Sequence, residues 1–220
     1  MRVKALIAVR SGSLRVKNKN IRPFAGSSLL EIKIQQLLKV PSLNGIVVNS
    51  NDDEILRIAS KYDVDLVKRD SYYASNDVTM SEVYKNMAEN VTADIIVFSN
   101  VTNPLVQTDK YKELIEFFLK GGDFDSVNSS NAIKEFMFLD GKPINYDLQN
   151  QPRSQDLPNI QALNFAISVI SRDLMIENKN IIGYRPYLYE LSEIESVDID
   201  TMLDFEIAEY LYSNYIKKIR

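Results

Sequence analysis

The chain contains no cysteine and no histidine. Without cysteine it can form no disulfide, thiolate nucleophile or Cys-ligated zinc site, and without histidine no imidazole base, Ser-His-Asp triad or His-ligated metal. Chemistry is left to carboxylates, lysine, arginine, hydroxyls, amides or an oxygen-ligated metal. That points away from most hydrolases and towards phosphoryl or nucleotidyl transfer, where positioning and electrostatics dominate. No apolar run approaches the roughly 20 residues that span a bilayer. Met1 leads straight into a strand-like run with no room for a signal peptide, so the expectation is a cytoplasmic protein with no membrane partner.

What is present fits one soluble domain, 1–220, with ordinary apolar (45%) and charged (25%) fractions. The charge is unevenly placed. Residues 1–30 hold seven basic side chains (Arg2, Lys4, Arg10, Arg15, Lys17, Lys19 and Arg22) and no acidic one, whereas the rest of the chain has 19 basic and 30 acidic groups. A local cationic mouth on an acidic protein suits a small polyanion better than nucleic acid, which calls for a broad basic surface.

Those cations cluster in Ala8 to Asn20, directly after the apolar run Val3 to Val9. A Gly-containing loop after the first strand of an α/β unit can bring backbone N–H groups to a phosphate, and arginine can grip phosphate oxygens bidentately. A solvated basic loop fits the same composition. The segment is not a Walker P-loop, for no Gly-Lys-Ser/Thr ends it. Nor is it a dinucleotide fingerprint, because only Gly12 is present where three glycines are needed, and this weighs against a nicotinamide-dependent reductase.

Downstream, strands and helices alternate. Ser28-x-x-Glu31 reads as a capping box opening a helix to about Val40, with Leu30, Ile34, Leu37 and Leu38 on one face. Gly45 to Ser50, Val64 to Lys68 and Asp94 to Ser99 read as strands. Helices are expected from Asp52, over Glu82 to Asn90, and from a Thr108 cap to Lys120, stopped by Gly121-Gly122. This pattern predicts a mostly parallel sheet flanked by helices. Asp125 to Ser130, Ala166 to Ile170 and part of Tyr184 to Leu191 are further strand-like runs. A hairpin is expected around Asp140-Gly141, within an insertion at about 130–165 of the kind that serves function or an oligomer contact. The last helix is expected over Met202 to Ile219, burying Leu203, Ile207, Leu211, Tyr215 and Ile219.

Two other stretches are candidates for the site. In an extended segment Asp198 and Asp200 point to the same face, and such a pair suits Mg²⁺ or Mn²⁺, although from this segment alone capping of the next helix by Asp200 or Thr201, with Asp198 solvated, is the simpler account. Asn100 to Leu105 follows a buried strand, at the end where ligands collect in open α/β sheets; a turn set by Pro104 explains the loop equally.

Arg10-x-x-Ser13 followed by Lys19-Asn20 resembles the signature of the acylneuraminate cytidylyltransferases (CMP-sialate synthetases), and further motifs follow in the family's order. Asp198-Ile199-Asp200, with Asp204, is similar to the family's late metal motif. Thr102, Pro104 and Leu105 match a Gln-Pro-Thr-Ser-Pro-Leu-Arg pattern in which Asn100 replaces glutamine and Val106 replaces arginine. Gln151-Pro152-Arg153 and then Asn164 resemble the sugar-site segment, with Ala162 and Phe165 where the family has arginine and glycine. Leu14 stands where a lysine is common.

The resemblance implies a Rossmann-like α/β nucleotidyltransferase fold, a homodimer partly built by the 130–165 insertion, and CMP transfer from CTP to an acidic sugar. Arg10, Lys19 and Asp198 would be catalytic. Ser13, Arg15, Asn20, Arg69, Ser81, Asn100, Thr102, Arg153, Gln155 and Asn164 would bind substrate, and Asp198 and Asp200 would hold the metal. Two alternatives stay open: an enzyme for another acidic sugar such as Kdo, against which Lys19-Asn20 argues, and a degenerate nucleotide-binding homologue.

Overall fold

Val3, Ala5 and Ile7 face one side of an extended segment and Leu6 the other, and both sides meet buried apolar partners. A strand covered on both faces belongs in the middle of a sheet. The computed structural model, which describes residues 1–13 and 15–216, places it there. In chain order the elements are β1 (Val3–Ala8), a two-residue ladder of β2 (Pro23–Phe24) and β3 (Ser27–Ser28), α1 (Leu29–Leu37), β4 (Ile46–Ser50), α2 (Asp53–Ala59) and β5 (Asp65–Lys68). Then come α3 (Met80–Glu89), β6 (Ile95–Ser99), α4 (Thr108–Lys120), β7 (Ser126–Ile133), the hairpin β8 (Phe138–Leu139) and β9 (Lys142–Pro143), β10 (Ile160–Ser171), α5 (Arg172–Asn178), β11 (Pro186–Glu190) and α6 (Met202–Leu211).

Seven strands form one sheet in the order β11-β7-β10-β6-β1-β4-β5. β1 pairs in parallel with β4 and β6, and β4 with β5, while β10 runs antiparallel to both β6 and β7. The sheet is therefore mostly parallel with one reversed strand. Alternate residues supply two cores. Ala5, Ile7, Val48 and Val97 pack against residues of α1, α2, α4 and α6, and Leu6, Val47, Ile96 and Phe98 against residues of α3 and α5. From β1 the chain moves outward to β4 and β5, then returns to β6 on the other side of β1. The loops after β1 and β6 thus diverge at a topological switch point, where a crevice opens at the carboxyl ends of the strands. Among the described residues no helix is long and apolar enough to cross a membrane.

Several expectations need correction. The last helix buries a different face: Phe205, Ala208, Tyr212 and Ile216 are in the core, whereas Leu203 (65% exposed), Ile207 (45%) and Tyr215 (50%) are not. Both faces are apolar in sequence, and aromatic contact selects between them, for the Phe24 ring lies 5.2 Å from Phe205 and 5.7 Å from Tyr212. Leu211 is half-buried, Ile219 lies outside the described residues, and after Leu211 the helix widens into a π turn over Tyr212–Ile216. Leu38 is exposed, because α1 is already covered nearly all round. Thr108 is the first residue of α4; Gln107 is the cap and makes no side-chain cap bond. β10 is twelve residues long, well beyond the five expected, because a bulge between Leu163 and Ser168 lets it bend and keep pairing with β7. α5 was not expected; Ser171 caps it. The hairpin turn at Asp140-Gly141 is as read, both residues having positive φ (49° and 77°).

Candidate active site

The loop from Arg10 to Asn20 is held by its own backbone. Ile21 and Arg22 donate to the Asn18 carbonyl, and Asn18 itself has φ 55°. The buried Asn20 side chain donates from Nδ2 to the Arg10 carbonyl (3.2 Å), tying the two ends of the loop together. Inside it lies a hollow of about 310 Å³ lined by Arg10, Gly12, Ser13, Arg15, Val16 and Lys19. Gly12 has φ 83°, a conformation that turns the chain there at no steric cost.

Beside the hollow is a cleft of about 490 Å³, reached by Arg10, Arg69, Asn100, Phe165 and Asp198. One side is cationic. Arg69 is buried, donating from Nε to Asn49 Oδ1 (2.5 Å) and from Nη2 to the Asn49 carbonyl (3.0 Å). Burial, and then the nearby Arg10 guanidinium, lower its pKa to about 10, so it stays charged at neutral pH. Arg10 donates to the Ala74 carbonyl (3.1 Å) and to Asn76 Oδ1 (3.4 Å). Among the described residues neither guanidinium has a carboxylate partner, which leaves two cations free to meet an anion. The other side is apolar, made by Val83, Met87, Phe98, Tyr84 and the ring of Phe165.

The acidic segment arrives from the far end of the chain. Lys19 Nζ donates to the Ile199 carbonyl (2.5 Å) and lies 3.9 Å from Asp200 Oδ1, which Arg15 Nη2 approaches to 2.8 Å. Burial lowers the Lys19 pKa, opposed by Asp198 and Asp200. Asp198 keeps an open face to solvent, yet desolvation by its surroundings pushes its carboxyl pKa up; a hydrogen bond from the Thr102 hydroxyl opposes this and the negative charge of Asp200 adds to it. Thr102 also fixes the segment through its carbonyl, which accepts from the Ile199 N–H at 3.0 Å. Asp204 is taken up elsewhere: its Oδ2 accepts from the backbone N–H groups of Asp200 and Thr201, closing the capping box of α6.

The donor set at this point is all oxygen, and two carboxylates beside a phosphate-sized hollow fit a hard divalent cation that fills its remaining positions with water and substrate oxygens. Among the described residues no group of three or more carboxylates is arranged to hold a metal ion.

The structure thus gathers Arg10, Ser13, Arg15, Lys19, Arg69, Asn100, Thr102, Asp198 and Asp200 around one crevice. Asn20 stands at the edge of the crevice, buried in the loop with its amide on the Arg10 carbonyl, and the other candidates are not brought there. Arg153 and Gln155 are exposed on the insertion, where Arg153 pairs with Asp156 at 2.8 Å. Ser81 sits exposed in the first turn of α3. Asn164 is buried and occupied: it accepts from the Ser129 hydroxyl (2.6 Å) and the Ala166 N–H (3.2 Å), pinning the β10 bulge. Phe165, the next residue, is the one that reaches the cleft. Val106, where the family resemblance put an arginine, is a fully buried core residue, and Leu14 lies outside the described residues. Sequence reasoning missed the cleft's apolar wall, because Val83, Tyr84 and Met87 read as one face of an ordinary amphipathic helix.

The profile of the cytidylyltransferase family matches residues 4–219. An N-acylneuraminate cytidylyltransferase of Oncorhynchus mykiss is 26% identical over 94% of the chain, which covers 49% of that protein. A pseudaminic acid cytidylyltransferase of Campylobacter jejuni is 26% identical, with 96% of this chain and 97% of that one aligned. In shape, the structure of a CMP:2-keto-3-deoxy-manno-octonic acid synthetase complexed with CTP is similar, with a TM-score of 0.71 at 14% identity, covering 97% of this chain and 99% of that one.

Proposed function

The chain belongs to the CMP-sialic acid synthetase family of cytidylyltransferases, and from that premise we propose that it transfers CMP from CTP to the anomeric hydroxyl of a nonulosonic acid, releasing pyrophosphate. The observation that supports this most is the meeting of Arg15, Lys19 and Asp200 across the crevice, from opposite ends of the chain. The triphosphate lies in the hollow, against Arg10, Ser13, Arg15 and Lys19, with the cytidine end towards Asn20 and Arg69. Arg15 exchanges its Asp200 partner for phosphate oxygens. Lys19 and Arg10 stabilise the charge that develops as the hydroxyl attacks the α-phosphorus and pyrophosphate departs. Asp198 and Asp200 would hold Mg²⁺ or Mn²⁺, which when bound neutralises phosphate charge. In a chain without histidine, a carboxylate oxygen of Asp198 would take the hydroxyl proton.

The acceptor's carbon skeleton would meet the apolar wall with Phe165. Exposed Phe138, Leu139, Ile144 and Leu148 on the insertion suit contact with a second copy in a cytoplasmic homodimer, the setting in which Arg153 and Gln155 would approach a sugar.

The test is pyrophosphate release from CTP and Mg²⁺ with a panel of nonulosonic acids and Kdo. Release with one acid identifies the acceptor; release with Kdo alone corrects the sugar; CTP binding with silence across the panel favours the degenerate homologue. Lys19→Ala should lower turnover by about 10²-fold or more, and Asp200→Ala should abolish metal dependence. Near-normal rates in both purified variants would remove the site assignment.

A further inference from the structure

α1 carries two polar side chains that see no solvent, Lys33 and Gln36, both 0% exposed. They stand three residues apart on one face, under the loop that follows β6. Lys33 Nζ donates to the Asn103 carbonyl (2.9 Å) and to the Tyr111 hydroxyl (2.6 Å), and Gln36 Nε2 donates to the Pro104 carbonyl (2.7 Å). Neither side chain touches the cleft, and among the described residues no carboxylate pairs with Lys33. A buried polar group without a charge partner is costly, so its presence calls for an explanation.

The other side of the same loop supplies one. Thr102 and Asn103 hold the acidic segment on either side of Asp198: the Thr102 carbonyl takes the Ile199 N–H (3.0 Å), and Asn103 Nδ2 reaches the Val197 carbonyl (3.2 Å). We infer that Lys33, assisted by Gln36, is a positioning residue for Asp198, fixing the loop after β6 from beneath so that its upper side sets the carboxylate. This rests on the proposed reaction only for its catalytic consequence, since the relay itself is a matter of backbone position. The chemistry of the lysine suits the task. Burial lowers its pKa to about 7, and a neutral amine has two N–H groups for the two acceptors it meets.

The experiment compares Lys33→Met, Lys33→Gln and Asn103→Ala with the wild type, by amide hydrogen exchange and by kinetics. Lys33→Met keeps the chain length and removes the donors. Asn103→Ala leaves Lys33 in place but cuts the link to Val197. Both should speed exchange of the Ile199 amide by about tenfold while β1 and β4 keep their protection. Lys33→Gln, which retains a donor for the Asn103 carbonyl, should restore much of it. In turnover, kcat should fall by about tenfold, with KM for CTP within about twofold. Unchanged Ile199 exchange in Lys33→Met and Asn103→Ala overturns the inference, as does a loss of protection spread evenly over the molecule. Should the wild type turn over no sugar, the reaction fails while the exchange data still decide the relay. Should Lys33→Met not fold, Asn103→Ala and Lys33→Gln decide it.

Discussion

Phe165 holds a backbone conformation, φ 56°, in which a bulky L-residue is disfavoured by about 1–2 kcal/mol. The bulge that Asn164 pins compels this geometry, and its effect is to point a ring into the cleft. Phe165→Gly should therefore leave the melting temperature unchanged or higher while relaxing acceptor choice, the ratio of kcat/KM between the preferred acid and a larger one falling by roughly tenfold or more. Calorimetry and competition kinetics check the two halves separately. Lys33 gives a second prediction at this scale. Its pKa is 10.5 when unperturbed and about 7 in the fold, so between those values the unfolded chain binds more protons than the native one. Stability should thus rise with pH, by about 1 kcal/mol from pH 7.5 to 8.5, and Lys33→Met should lose that rise; urea unfolding at the two pH values measures it. Little of this was readable beforehand. Lys33 and Gln36 do stand in the apolar phase of α1, between Leu29, Leu30 and Leu37, and that misplacement was the available signal. Phe165 had no signal in periodicity, because a bulge suspends the strand's alternation.

Among the elements, α6 separates two apolar stripes that sequence alone treats as equals. The buried stripe is chosen by Phe24, whose ring belongs to the short ladder of β2 and β3 just after the basic loop. Phe205→Ala should destabilise by about 3–5 kcal/mol, and Leu203→Ala, two residues away, by less than about 0.5 kcal/mol, as read from denaturant midpoints. Strands buried on both faces, such as β1, β4 and β6, were legible because each carries a run of at least three consecutive apolar residues without strand alternation. The capping box at Ser28 was legible too, from chemistry that acts over three residues. β10 was only half legible, since its early pairs include Gln161 with Ala132, Ala162 with Asn131 and Leu163 with Ser130, a mixed pattern without hydrophobic alternation.

Taken whole, the molecule is acidic with a cationic mouth, and the fold explains why the mouth stays cationic: Arg10 and Arg69 are held by carbonyl and amide oxygens in place of carboxylates. CTP affinity should accordingly weaken several-fold between 50 and 500 mM NaCl, because the attraction of the exposed Arg10 and Arg15 for a triphosphate is screened over about 10 Å at 0.1 M salt; titration calorimetry across that range measures it. The gathering of Arg10, Lys19 and Asp198 at one crevice was foreseeable from topology, since loops at the carboxyl ends of parallel strands share one edge. The exclusion of Arg153 was not, for an insertion's direction depends on turns that leave little mark in composition.

The bond from Arg15 to Asp200 spans 185 positions of sequence. A ribosome adding roughly 5–20 residues per second needs on the order of ten to forty seconds to travel that far. Throughout that interval the basic loop and its strand exist without the acidic segment that faces them. A nascent chain is therefore unable to assemble the crevice until Asp198 and Asp200 have been made.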